Sequence, residues 1–170
     1  MGQRRCVMQK IFTIDPIDAL KMSIQSEKEM REYHKKAASL VEDDDVKTIF
    51  LSLADHAEEH RHSSVDMYSK ISGKKILFLN LDKRHKLTTL RRCSDELKDA
   101  IQVAKRNEKE LSTFYATISR RFMQQDLRAY FRKLAADNLQ HLTLLQASFE
   151  EPFNEEDEVA EPNVFDRVVH

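Results

Sequence analysis

Four segments of this chain carry a stripe of residues in alternating steps of three and four, and that period commits the chain to long helices. The first stripe is Ile17, Leu20, Ile24, Glu27, Arg31, His34, Ala38, Val41. The second is Val46, Phe50, Leu53, Ala57, His60, Ser64, Met67, Ile71. The third is Leu97, Ile101, Ala104, Glu108, Leu111, Tyr115, Ile118, Phe122, and the fourth is Leu127, Phe131, Leu134, Asn138, His141, Leu145, Ser148. A step averaging about 3.5 keeps one face of each helix on a shared axis, which predicts an all-α, antiparallel four-helix bundle. Only 2 glycines and 3 prolines in 170 residues leave little material for the turns of a sheet.

The punctuation agrees with that reading. Asp15-Pro16 gives an N-cap and a first-turn proline. Asp43 to Asp45 break the first helix and cap the second, and Gly73 ends it. Ser94 is the expected cap of the third, a break near Met123 to Asp126 precedes the fourth, and Pro152 closes it. The predicted helices cover about 16–42, 45–72, 95–122 and 126–150. Residues 1–14 form an N-terminal extension and 15–151 the bundle. The bundle divides into repeats 15–72 and 95–151, joined by a crossover, 73–94. An acidic tail, 152–170, carries Glu155, Glu156, Asp157, Glu158 and Glu161.

The two halves repeat with a shift of 81 residues. Asp18-Ala19 falls on Asp99-Ala100, and Glu27-Lys28-Glu29 on Glu108-Lys109-Glu110. Asp45, Phe50, Leu53-Ala54 and His60 fall on Asp126, Phe131, Leu134-Ala135 and His141. These ten identities span about 57 ungapped positions, where composition alone gives roughly three or four. Internal duplication is the simplest account. Short breaks make each helix pair antiparallel, and the long connection can run back along the bundle.

A formal net charge of -1 gives no case for nucleic acid. No apolar run approaches the roughly 20 residues of a membrane span, and Met1 to Lys10 precede no signal-type apolar core. Cys6 and Cys93 match no metal or disulfide spacing, which suits plain thiols in a reducing, cytoplasmic setting. The crossover carries Lys74, Lys75, Lys83, Arg84, Lys86, Arg91 and Arg92 around the apolar stretch Ile76 to Leu81. A solvated strap is the plainer reading of those charges, with a partner or phosphate surface as the alternative. The apolar stretch could be covered in a homodimer.

The middle of each stripe is polar where a bundle core should be apolar. Glu27 and Glu108 each lie between apolar neighbours one turn away, as do His60 and His141. Each half therefore has a Glu and a His 33 residues apart, at matching heights. Carboxylate and imidazole converging from four helices is a ligand arrangement for a metal in a bundle core. The competing reading is two metal-free buried ion pairs, Glu27 with His60 and Glu108 with His141. His56 and His60 also have the i,i+4 spacing that chelates metal, within Asp55-His56-Ala57-Glu58-Glu59-His60-Arg61-His62. Only His60 of these lies on the core stripe, so most of that run reads as a charged outer face.

The run Ala19-Leu20-Lys21-Met22, Glu27-Lys28-Glu29, Tyr33 and Lys35-Lys36-Ala37-Ala38 resembles the first helix of the rubrerythrin branch of the ferritin-like proteins. Phe50, Leu53-Ala54 and Glu59-His60 resemble the second. Glu108 to Tyr115, and Phe131 through Leu134-Ala135 to His141, echo both. The resemblance covers about 16–150. It implies a di-iron centre with one Glu from each of the first and third helices and a Glu-x-x-His pair from each of the other two. Glu27, His60, Glu108 and His141 match that pattern. The glutamates of the two Glu-x-x-His pairs, which by resemblance bridge the irons, are replaced by Ala57 and Asn138. A tyrosine seven residues after the helix Glu appears as Tyr115, whereas its counterpart is His34.

Four carboxylates balance two divalent ions and two balance one, so the expectation is at most one ion, or two weak half-sites. The candidate ligands are Glu27, His60, Glu108 and His141, with His34 and Asn138 as auxiliaries, and the candidate ions are zinc, iron and manganese. The resemblance implies oxidoreductase activity towards peroxide or dioxygen. It implies an external electron donor too, because the paired Cys-x-x-Cys motifs of a rubredoxin iron–sulfur module are missing. The alternative is a metal-free structural or interaction bundle.

Overall fold

The computed structural model describes residues 14–76, 86–87 and 89–149. Cys6, the acidic tail, and residues 77–81, Lys83 and Arg84 of the crossover lie outside the described residues. The described residues form four helices: α1 Pro16–Ser39, α2 Asp44–Ser72, α3 Leu97–Ser119 and α4 Gln125–Ser148. No strand occurs among the described residues.

The helix ends follow from local chemistry. Asp15 accepts a hydrogen bond from Ile17 N–H, ahead of Pro16. Asp43 accepts from the N–H groups of Asp45 and Val46. Gly73 closes α2 at φ 68°, a left-handed conformation that a side chain would strain. Ser94 does not cap α3. Its Oγ accepts from Glu96 N–H in a local turn, so the helix starts at Leu97, two residues later than expected. α1 stops at Ser39, where the Leu40 and Val41 N–H groups tighten onto Ala37 and Ala38.

Helix directions can be read from contacts between them. Ser23 meets Ser64 and Arg31 meets Glu58, so α1 and α2 are antiparallel. Tyr33 donates to Ala100 O and Tyr115 to Glu27, so α1 and α3 are antiparallel. Glu108 with His141 and Ser112 with Ala135 O give the same for α3 and α4. His56 with His141 and Lys70 with Asp126 complete the set for α2 and α4. The diagonal helices α2 and α3 therefore run the same way, and residues 73–96 must return along the length of the bundle. α2 has 29 residues, or about 43 Å, a distance that an extended strap of that size covers easily. This is the ferritin-like crossover topology.

The strap is tied down where it is described. Leu87 is buried in the core, and Lys86 lies 3.5 Å from Glu29. The fully buried Asn107 of α3 clamps the strap backbone. Its Oδ1 accepts from Arg91 N–H at 3.0 Å, and its Nδ2 donates to Arg91 O at 2.9 Å.

Two apolar clusters fill the bundle. One gathers Leu20, Met22, Leu111, Phe114, Ile118, Leu127 and Phe131. The other, at the opposite end, gathers Tyr33, Ala37, Val41, Phe50, Leu53 and Leu145. Each large side chain buried here contributes roughly 1.5–3 kcal/mol. Between the clusters lies a buried polar layer. Among the described residues no helix is long and apolar enough to cross a membrane.

Because Asn107 carries two strap hydrogen bonds from a buried position, Asn107→Ala should cost about 1–3 kcal/mol in urea unfolding. It should also expose the strap to proteolysis before the helices. A variant as stable as the parent would show that the strap is not held there.

Candidate metal centre

Helix periodicity sets the polar layer. Glu27 and His34 are seven residues apart on α1, as are Glu108 and Tyr115 on α3, so each pair shares one inward face. Glu27, Glu108, His34 and Tyr115 are all at most 1% exposed, and His60 and His141 are nearly as buried. Ala57 and Asn138 are buried beside them.

The expected residues assemble into two half-sites. In the first, Glu27 Oε1 accepts from Tyr115 OH at 2.7 Å, and Glu27 Oε2 lies 3.5 Å from His60 Nδ1. In the second, Glu108 Oε1 lies 2.8 Å from His34 Nε2 and Glu108 Oε2 lies 3.3 Å from His141 Nδ1. The rings of His60 and His141 stack across the layer with centroids 5.8 Å apart. Asn138 does not join either half-site through its amide nitrogen, which donates to Leu134 O one turn back. Among the described residues, no three His, Cys, Asp or Glu side chains already surround a common point as ligands surround an ion.

The repeat governs the hydrogen bonds around the histidines. His60 Nε2 lies 3.0 Å from Asp137 Oδ2, and His141 Nε2 lies 3.1 Å from His56 Nδ1. His56 and Asp137 are themselves 81 residues apart. Each half thus supplies the group that orients the other half's histidine, as Tyr115 and His34 do for the carboxylates. Sequence reasoning missed Asp137 and set His56 on the outer face. The same 81-residue shift, or the i,i+4 spacing of Asp137 and His141, could have found the pair.

The halves differ in what lies behind each carboxylate. Beyond Glu27, Tyr115 OH reaches Ser23 Oγ at 3.3 Å, Ser23 reaches Ser64 at 2.7 Å, and Ser64 reaches Tyr130 OH at 2.5 Å. The repeat equivalents of Ser23, Ser64 and Tyr130 are Ala104, Leu145 and Ile49, so among the described residues no matching hydroxyl chain extends beyond Glu108.

The charges are unequal too. Burial alone would raise the Glu108 pKa, but hydrogen bonds and charge from His141 and His34 outweigh it and bring the value to about 2. Burial opposes the charged form of His60, yet Glu27 and Asp137 outweigh it and raise that pKa. Burial, then the Glu27 charge, pushes the Tyr115 phenol far upward, so it stays a donor.

Two buried ring nitrogens without a hydrogen bond, His34 Nδ1 and His60 Nδ1, test the donor set against a metal ion. His60 Nδ1 is buried with no hydrogen-bond partner, while Nε2 is engaged by Asp137 and the Glu27 carboxylate stands opposite. In a tetrahedral complex with bonds of 2.0–2.2 Å, adjacent ligand atoms lie roughly 3.3–3.6 Å apart. The 3.5 Å gap between Glu27 and His60 fits that span. A ligating histidine whose far nitrogen is fixed by a carboxylate is the usual outer arrangement of such sites. A two-ion centre fits poorly, because Ala57 has no donor and Asn138 no charge.

The two shifts have opposite signs in stability. Glu108 contributes stability that is complete above its ordinary value of 4.5 and lost as pH falls through about 2. His60 contributes below its ordinary value of 6.5 and loses that contribution as pH rises through its elevated folded value. Urea unfolding of Glu108→Gln should therefore show a flattened acid limb between pH 4.5 and about 2. An acid limb identical to the parent's would place the titrating charge elsewhere.

Comparison with known proteins agrees with the architecture. Among solved structures, a hypothetical protein from Pyrococcus furiosus superposes with a TM-score of 0.66 at 22% identity, covering 81% of this chain and 89% of that one. At that identity the likeness speaks for the fold. No curated protein sequence matches the chain. The rubrerythrin family model, which describes ferritin-like di-iron proteins, matches residues 18–149. With most of the bundle inside that match and the Glu and His positions on all four helices, this chain belongs to the rubrerythrin family.

Proposed function

We propose that this protein binds a single divalent cation at the middle of its bundle, in a reduced form of the family's di-iron centre. The observation that carries the reading is the buried His60 Nδ1, which makes no hydrogen bond and faces the Glu27 carboxylate across 3.5 Å. Glu27 and His60 are the primary ligands, Glu108 and His141 complete the set, and His34 and Asn138 are auxiliaries. Two glutamates and two histidines suit zinc, iron or manganese. Two carboxylates neutralise one divalent ion, and without bridging glutamates a second ion would meet little compensating charge.

An ion held there would supply Lewis acidity and, as iron or manganese, one-electron chemistry towards peroxide or dioxygen with an external electron donor. The chain's own residues have simpler tasks. Asp137 fixes the His60 ring, Tyr115 keeps a proton directed at Glu27, and the flanking apolar clusters exclude water.

The second reading is a metal-free structural bundle. It is favoured by Glu108, whose two oxygens already face His34 and His141, and by the absence of three convergent ligands among the described residues. Buried ion pairs of this kind can persist without adding stability.

Elemental analysis of protein purified without chelators separates the two. The expected result is about one equivalent per chain, falling to background in Glu27→Gln with His60→Ala. A metal-free parent that also takes up none of the three candidate ions would favour the second reading. Restoring the missing carboxylates with Ala57→Glu and Asn138→Glu should raise iron binding to about two equivalents. A stoichiometry that stays at one or zero would undo the match of those positions to the bridging glutamates.

A further inference from the structure

The outer rim of the α2–α4 seam gathers a donor set of its own. His56 and His60 lie one turn apart on α2, and Asp137 and His141 lie one turn apart on α4. Each such pair shares a helix face, and the helices are antiparallel neighbours. His56 is exposed at the mouth of a cavity of about 470 Å³ that these four residues line together with Glu59. Its ring stacks on His141 with centroids 5.1 Å apart. The outward atoms already stand in pairs: His56 Nδ1 and His141 Nε2 at 3.1 Å, and His60 Nε2 and Asp137 Oδ2 at 3.0 Å.

We propose that this rim is a second cation site, in which His56, His60, Asp137 and His141 hold a nitrogen-preferring divalent ion such as zinc. Three imidazoles and one carboxylate are a zinc-type donor set. The edges of a tetrahedral zinc site are roughly 3.3–3.4 Å long, close to both spacings. The four side chains do not yet face one point; an arriving ion must turn the exposed His56 ring and replace its hydrogen bond to His141. Lys133 hydrogen-bonds Asp137 Oδ2 and is the competitor an arriving ion must displace.

The rim is separate from the interior reading because each shared histidine has two nitrogens. A neutral imidazole that offers Nε2 to a rim ion carries its proton on Nδ1, which then faces Glu27 or Glu108 as a donor. The tautomer that opens Nδ1 to an interior ion closes Nε2. Rim and interior occupancy therefore exclude one another at each histidine. A rim ion is held when the interior carboxylates are satisfied by protons.

The test uses the full chain with the interior carboxylates neutralised, Glu27→Gln with Glu108→Gln. Titrated with zinc, and with cobalt for its visible spectrum, this variant should bind one equivalent with tetrahedral cobalt bands. Adding His56→Ala should then weaken binding by about tenfold or more. No binding by the double variant, or an affinity unchanged by His56→Ala, would overturn the proposal and leave His56 and Asp137 as orienting partners only. If circular dichroism shows that the double variant is unfolded, copper is added below one equivalent to the unaltered chain and the histidine ring signals are followed by NMR. Early loss of the His56 signals supports the rim site, and His56 signals that stay sharp while copper binds elsewhere overturn it. A chain that takes up no interior ion yet binds zinc through His56 would defeat the interior reading and leave this one standing.

Discussion

Two carboxylates sealed inside an apolar bundle are the constraint around which this molecule is organised. Glu27 and Glu108 are each only 1% exposed, and an uncompensated charge in such a place costs several kcal/mol. Compensation comes from every helix. α2 and α4 contribute a histidine each, α3 sends Tyr115 to the α1 carboxylate, and α1 sends His34 to the α3 carboxylate. The groups that satisfy each charge come partly from the other half, so neither half could bury its glutamate alone. The polar layer thereby specifies how the two helix pairs dock, a role that apolar packing performs with less angular precision.

The topology serves the same end. Glu27 and Glu108 sit at mid-length of α1 and α3, and the antiparallel run of these two neighbouring helices brings both into one layer at mid-bundle. Such an arrangement requires a long return connection. The two-point hold of Asn107 on the Arg91 backbone, deep in the structure, makes that described part of the connection part of the packed fold.

Much of this was legible in the sequence because helices announce themselves by period. Four stripes, two aspartate caps and Gly73 located the elements, and the polar interruptions at Glu27, His60, Glu108 and His141 located the layer. The Ser94 cap failed because a serine hydroxyl can bind an N–H in a turn as readily as at a helix start, and the alternatives differ little in energy. Asp137 escaped notice for another reason. It lies off the core stripe, and only the antiparallel register of α2 and α4 reveals that it meets His60. Pairings between helices depend on rotation about each axis, which a single stripe fixes only to within a residue or so.

The unequal surroundings of the two glutamates follow from three small changes between the repeats, Ser23 for Ala104, Ser64 for Leu145 and Tyr130 for Ile49. Glu27 is backed by a row of hydroxyls, each able to give or accept a proton by rotating about one bond. That row can reverse its polarity without moving a heavy atom, so the electric environment of Glu27 can follow a change in its charge. Glu108, gripped by two rings that cannot rotate freely in a packed core, has no such freedom. A fold that began as two copies thus ends with one compliant acid and one rigid acid.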